Sequence, residues 1–125
     1  MIKTVGVIAL GGMLGALARF GLGLAFPIAP HAFPWTTFAI NVVGCLLLGF
    51  IAPLTAGLVR PFLGTGILGG FTTFSTYILE IHRLVRAEQL PTAVGYLGAT
   101  VISALLAAYL GGVAADRVAN GRLRA

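Results

Sequence analysis

Charge is scarce in this sequence: 9% of its 125 residues are charged, and only three of them are acidic. A soluble domain carries about 25% charged residues, because its surface faces water. The deficit excludes an ordinary water-facing globule and points to lipid as the solvent. Cysteine is nearly absent too. Cys45 stands alone, which excludes an intrachain disulfide and a cysteine-based metal site. It lies in an apolar run and reads as a small packing residue. The net charge of +5 first suggests nucleic acid, but the basic residues are scattered, with Arg117, Arg122 and Arg124 in the C-terminal tail. Positive charge at a membrane edge explains them without a nucleic-acid partner.

What is present is apolar length. Hydrophobic residues make up 58% of the chain, and the mean hydropathy is +1.03. A helix needs about 20 apolar residues, at about 1.5 Å each, to cross a bilayer. Four runs qualify, at about 5–26, 35–58, 62–84 and 92–115. The first carries Ala16-Leu17-Ala18, which resembles a signal-peptide cleavage site. Its apolar character continues past Arg19 to Phe26, too far for a signal core, and it reads as the first span. The connections are short: "PIAPHAFP" at 27–34, Arg60-Pro61, and a charged turn around Arg83, Arg86 and Glu88. A single all-helical transmembrane unit over 1–125 is the expected domain organisation. Lys3, Arg60, Arg117, Arg122 and Arg124 fall on one side and Arg83 and Arg86 on the other. That bias tilts the termini toward the cytoplasm, and it is modest enough to leave insertion in both directions open.

The third span contains "GGFTTFSTY" at 69–77, the most helix-averse stretch of any span. Gly69 and Gly70 loosen the helix, while Thr72, Thr73, Ser75 and Thr76 compete for backbone hydrogen bonds. One hydroxyl in a span back-bonds to the preceding turn and leaves the helix whole. Four beside paired glycines predict a helix broken mid-membrane. Unwound backbone at that depth survives only against protein or a water-filled cavity, and its freed carbonyls and amides bind ions. Gly11 with Gly15, and Gly66 with Gly70, form GxxxG pairs that permit close helix approach.

The remaining polar groups within the spans are uncharged donors. Thr37 and Asn41 are one turn apart in the second span, and Tyr96, Thr100 and Ser103 share a face of the fourth. Carboxylates are missing from the span interiors, with Glu80 read as lying near the end of the third. A cation or proton path generally uses intramembrane Asp or Glu, so donors without acceptor charges suggest an anion or a neutral solute. Arg19 is the sole charge deep in a span. It is either a snorkelling, packing arginine or an electropositive contribution to an anion vestibule. Phe74 and Tyr77 are three apart, and aromatic rings have positive edges. Catalysis finds no support: Ser75 has no evident base, and His31 and His82 lack ligand partners. A proton-coupled four-span exporter would need a carboxylate in the first span, and 4–26 holds none.

"GGMLGALARF" (11–20), "TTFAINVVGCLLLGF" (36–50) and "GILGGFTTFSTY" (66–77) closely resemble the Fluc (CrcB) family of bacterial fluoride channels. The resemblance covers essentially the whole chain. It implies an antiparallel, dual-topology homodimer in the inner or plasma membrane, passively exporting cytoplasmic fluoride and conferring fluoride resistance. It further implies a structural Na+ at the break, held by the carbonyls of Gly69 and Thr72 from both chains. Phe74 matches the first position of the family's aromatic box, Asn41 the pathway asparagine, and Arg19 the arginine near the vestibule. Tyr96 and Thr100 fall on the fourth-span polar track, and Ser75 and Thr76 on the third-span one. The second box position is usually phenylalanine, and Tyr77 stands there, with a hydroxyl that either binds fluoride or obstructs it.

Overall fold

The computed structural model describes residues 1–124, with side chains through 121; the Arg122 and Arg124 side chains counted in the charge bias lie outside that description. The described residues are all-helical. Helix α1 spans Ile2–Ala25 and α2 Trp35–Leu54. A π-helical segment, Pro61–Leu68, runs directly into a single α-turn, α3, at Gly69–Phe71. After an interruption come α4, Ser75–Arg86, and α5, Leu90–Arg124. Four helical spans are long and apolar enough to cross a membrane, Pro61–Arg86 counting as one.

Helix ends differ from the apolar runs for local reasons. The second run was expected to reach 58, but α2 stops at Leu54 and Thr55 turns extended (φ −118°, ψ 151°). Pro53 precedes that exit, and Thr55 Oγ1 donates back to the Ile51 carbonyl at 3.0 Å, closing the last turn. The third span continues past 84 to Arg86, with Arg83 and Arg86 in the last turn, where positive charge suits the helix dipole. The fourth continues well past 115 as a polar extension of α5.

Backbone contact organises the bundle. Gly11 and Gly15 are the buried residues of α1, and they face the first half of the third span. A Cβ on Gly11 would sit 2.5 Å from the Phe62 carbonyl oxygen and 3.0 Å from the Gly66 Cα; one on Gly15 would sit 2.8 Å from the Phe71 nitrogen. From the other side, a Cβ on Gly70 would meet the Gly12 Cα at 3.0 Å. The two GxxxG pairs therefore pack against each other, backbone on backbone. Likewise α2 crosses α5 at Gly49 and Gly111. Outside these seams, Leu17, Phe20 and Leu105 are among many large apolar side chains left exposed, as a lipid-facing surface requires.

The third span is bent near its middle. Thr72 is extended (φ −73°, ψ 159°), although its N–H still reaches the Leu68 carbonyl at 3.0 Å. The helix resumes at Ser75, with the Thr76 N–H capped by Thr73 Oγ1 at 3.1 Å. Below the bend a small core forms from Tyr77, Leu84, Ala93 and Tyr96, with Phe33, Phe38 and Ile81 packed on it.

Candidate functional site around the interrupted span

Breaking a helix orphans backbone groups, and two distant side chains take them up. Asn41 in α2 holds the Thr73 peptide at both ends: Nδ2 donates to its carbonyl at 2.9 Å, and Oδ1 accepts its N–H at 2.8 Å. Arg19 in α1 donates through Nε to the Gly70 carbonyl at 3.2 Å. This contact favours the packing reading of Arg19, though its guanidinium also lines a cavity beside the break. That cavity, about 370 Å³, is bounded by Arg19, Thr36, Thr37, Thr73, Thr76 and Glu80 among others.

Gly69 and Thr72 line a separate groove of about 510 Å³ with Gly44, Cys45 and Arg60. The Thr73 N–H, which a continuous helix would direct to the Gly69 carbonyl, goes to Asn41 instead. Similarly, the Thr76 N–H goes to Thr73 Oγ1 rather than to the Thr72 carbonyl. Among the described residues, neither carbonyl receives a backbone hydrogen bond from outside its helix. Unsatisfied carbonyl oxygens suit a hard cation such as Na+.

Glu80 corrects the reading of the span interiors. Because α4 runs to Arg86, this carboxylate lies about 9 Å, six residues of helix, inside the end of the span. It is buried, at 7% exposure. Thr37 Oγ1 donates to one of its oxygens at 2.7 Å and Tyr96 Oη to the other at 2.7 Å. Sequence reasoning placed Glu80 at the membrane edge. The available signal was its register with Tyr77 and Leu84, which are buried on the same face.

The two aromatic positions part company. Phe74 is 76% exposed, whereas Tyr77 is buried at 4%, with ring centroids 5.9 Å apart. Tyr77 instead joins Tyr96 edge-on at 5.1 Å, and Tyr96 meets Phe33 at 5.2 Å. The Tyr77 hydroxyl donates to the Leu97 carbonyl at 2.8 Å.

Each hydroxyl has one proton to give, so the donor lining can be sorted by where those protons go. Thr37 and Tyr96 give theirs to Glu80, Tyr77 to Leu97, Thr72 to Leu68 and Thr36 to Phe26. Thr73 donates to Thr76 Oγ1 at 3.0 Å, which leaves the Thr76 proton free. Ser75 is exposed, 3.4 Å from Thr73 Oγ1. Thr100 is buried at 5%, and its Oγ1 has no partner among the described residues. Asn41 retains the second hydrogen of its amide. Of the groups sorted here, Thr76, Thr100 and Asn41 keep a proton without an acceptor.

Fold and site define a small multi-pass membrane protein with an interrupted span and hydroxyl and carboxamide donors gathered beside one buried carboxylate and one arginine. The model of the family "CrcB-like protein, Camphor Resistance (CrcB)" matches residues 6–112. Similar proteins include fluoride-specific ion channel FluC 1 of Streptomyces coelicolor, 48% identical over 125 residues (95% of this chain, 81% of the relative). Fluoride-specific ion channel FluC 1 of Rhodococcus jostii is 52% identical over 118 residues (92% and 87%). Fluoride-specific ion channel FluC of Paracoccus denitrificans is 42% identical over 115 residues (88% and 91%). The chain belongs to the CrcB family.

Proposed function

We propose that this protein is a fluoride-selective, passive channel of the bacterial inner membrane that lets cytoplasmic fluoride leave down its gradient. It is not an enzyme. The names of its relatives support the ion, and the observation that carries the chemistry is the buried Thr100 hydroxyl without a partner. A buried donor left unsatisfied costs about 1–3 kcal/mol, and a passing anion supplies the missing acceptor.

Fluoride is small and strongly hydrated, so a narrow path must replace its water with other donors. Hydroxyl and carboxamide N–H groups do this without a fixed charge that would trap the ion. Thr76, Thr100 and Asn41 are assigned to contact fluoride. Thr37 and Tyr96 hold Glu80, and Tyr77 contributes its ring with its hydroxyl turned aside. Phe74 and Ser75, exposed on a single chain, are assigned to a path completed by a second, antiparallel copy inserted in the opposite direction. Phe74 would then present its electropositive ring edge to the ion. The groove at Gly69 and Thr72 would be closed by that copy, whose equivalent carbonyls complete a structural Na+ site. Those carbonyls would hold the ion, which would supply a fixed positive charge between two unwound backbones.

The test is fluoride efflux from liposomes carrying the purified protein. Rapid fluoride release with chloride retained is expected; comparable chloride release refutes the selectivity. Replacing Na+ with N-methylglucamine should slow efflux, and returning Na+ should restore it. Cross-linking and reporters on the termini address the antiparallel dimer, since a single orientation in cells rules it out.

A further inference from the structure

The channel reading leaves one charged feature unused. Beyond Glu80, away from the interruption, lies a second cavity of about 250 Å³, bounded by Ala29, His31, Pro34, Glu80, Arg83 and Leu84. Glu80 also lines the donor-rich cavity. Glu80 and Ile28 thus line both cavities, with the buried carboxylate on the wall they share.

That position is an electrostatic obstacle. Both Glu80 oxygens are held by neutral donors, Thr37 and Tyr96, which fix the carboxylate without cancelling its charge. An anion moving between the cavities meets it at close range. On the break side, Arg19 lines the cavity as a cation. On the far side, the cation is Arg83, three residues after Glu80 and therefore on the same face of α4. His31 lines the same cavity and carries an N–H donor in either protonation state.

His31 is not loosely placed. It adopts a left-handed conformation (φ 64°) in a turn where the Ala32 N–H bonds the Ala29 carbonyl at 3.2 Å. Pro30 just before it and Pro34 three residues on restrict the backbone further. The loop therefore places His31, itself exposed, on the wall of the cavity that Arg83 also lines.

We infer that His31 and Arg83 form an anion-recruiting mouth at the Glu80 end of the path, concentrating fluoride there and offsetting the carboxylate. This rests on the channel reading. Arg83 is exposed, so its contribution is a field rather than a contact. A unit charge about 10 Å away in water changes a local anion concentration roughly twofold.

The experiment uses the full-length protein in neutral-lipid liposomes and measures initial fluoride efflux at two ionic strengths. At about 0.01 M the Debye length is about 30 Å, and at about 1 M it is about 3 Å. Arg83→Gln should slow efflux about twofold at low ionic strength and match the parent at high ionic strength. Arg83→Lys should stay at the parent rate. His31→Ala combined with Arg83→Gln should slow it further. Arg86→Gln serves as the control, since Arg86 lies in the same last turn but does not line the cavity. If Arg83→Gln leaves the low-salt rate unchanged while the parent conducts, the mouth is refuted and the channel reading stands. Equal slowing by Arg86→Gln also refutes it, because a general surface potential then suffices. A parent protein that releases no fluoride removes the channel reading and this inference together.

Discussion

Asn41 grips the Thr73 peptide by both its N–H and its carbonyl, at 2.8 and 2.9 Å, from 32 residues away. The side-chain amide stands in for the helical neighbours that the interruption removes. Asn41→Asp keeps the acceptor, loses the donation to the carbonyl and adds a negative charge beside the proposed anion path. Fluoride efflux should fall by about a hundredfold or more, with about 1–3 kcal/mol lost from the orphaned carbonyl. Liposome efflux and thermal melting in detergent measure the two effects.

Thr100 offers a cleaner separation of stability from function. Thr100→Val removes a buried hydroxyl that has no partner, so the fold should be unchanged or stabilised by about 1 kcal/mol. Efflux should nevertheless drop about tenfold, the equivalent of roughly 1.4 kcal/mol. A variant that is both stable and fully conducting would take Thr100 off the path.

Thr37 and Tyr96 act on the same carboxylate, through different oxygens. Thr37→Val and Tyr96→Phe should each lower stability by about 1.5–3 kcal/mol, the worth of a hydrogen bond to a charged group, as read by thermal melting in detergent. Because they share Glu80, the double variant should lose less than the sum. Strict additivity in a double-mutant cycle would separate the two from Glu80.

Tyr77→Phe removes only the donation to the Leu97 carbonyl. The buried ring and its edge contact with Tyr96 remain. Efflux should stay within about twofold, and stability should fall by about 1 kcal/mol, as for other hydrogen bonds within membranes. A large change in conduction would place the hydroxyl on the ion path after all.

Gly15 and Gly12 make a paired test of the helix crossing. A methyl on Gly15 collides with the Ile67 carbonyl, whereas nothing lies within 4 Å of one on Gly12. Gly15→Ala should lower the melting temperature sharply or prevent folding; Gly12→Ala should leave it within a few degrees. Size-exclusion profiles and melting curves distinguish the two.

Much of this molecule was legible in its residues. Low charge and long apolar runs dictate membrane helices, because unpaired backbone polar groups are too costly in lipid to permit anything else. Gly69 and Gly70 followed by four hydroxyl residues call for a bend in the third span, and the chain bends there. Those signals are local, carried by neighbours within a few turns of one another. Tertiary structure decided the rest. It matched the first GxxxG pair to the second, brought Thr37 and Tyr96 onto a glutamate that reads as peripheral, and turned Tyr77 inward while Phe74 faced out. The physical reason is that a hydroxyl or carboxylate finds its partner on another helix, here up to 43 residues distant. Composition fixes what each group can donate or accept, and only the packing of helices fixes to whom.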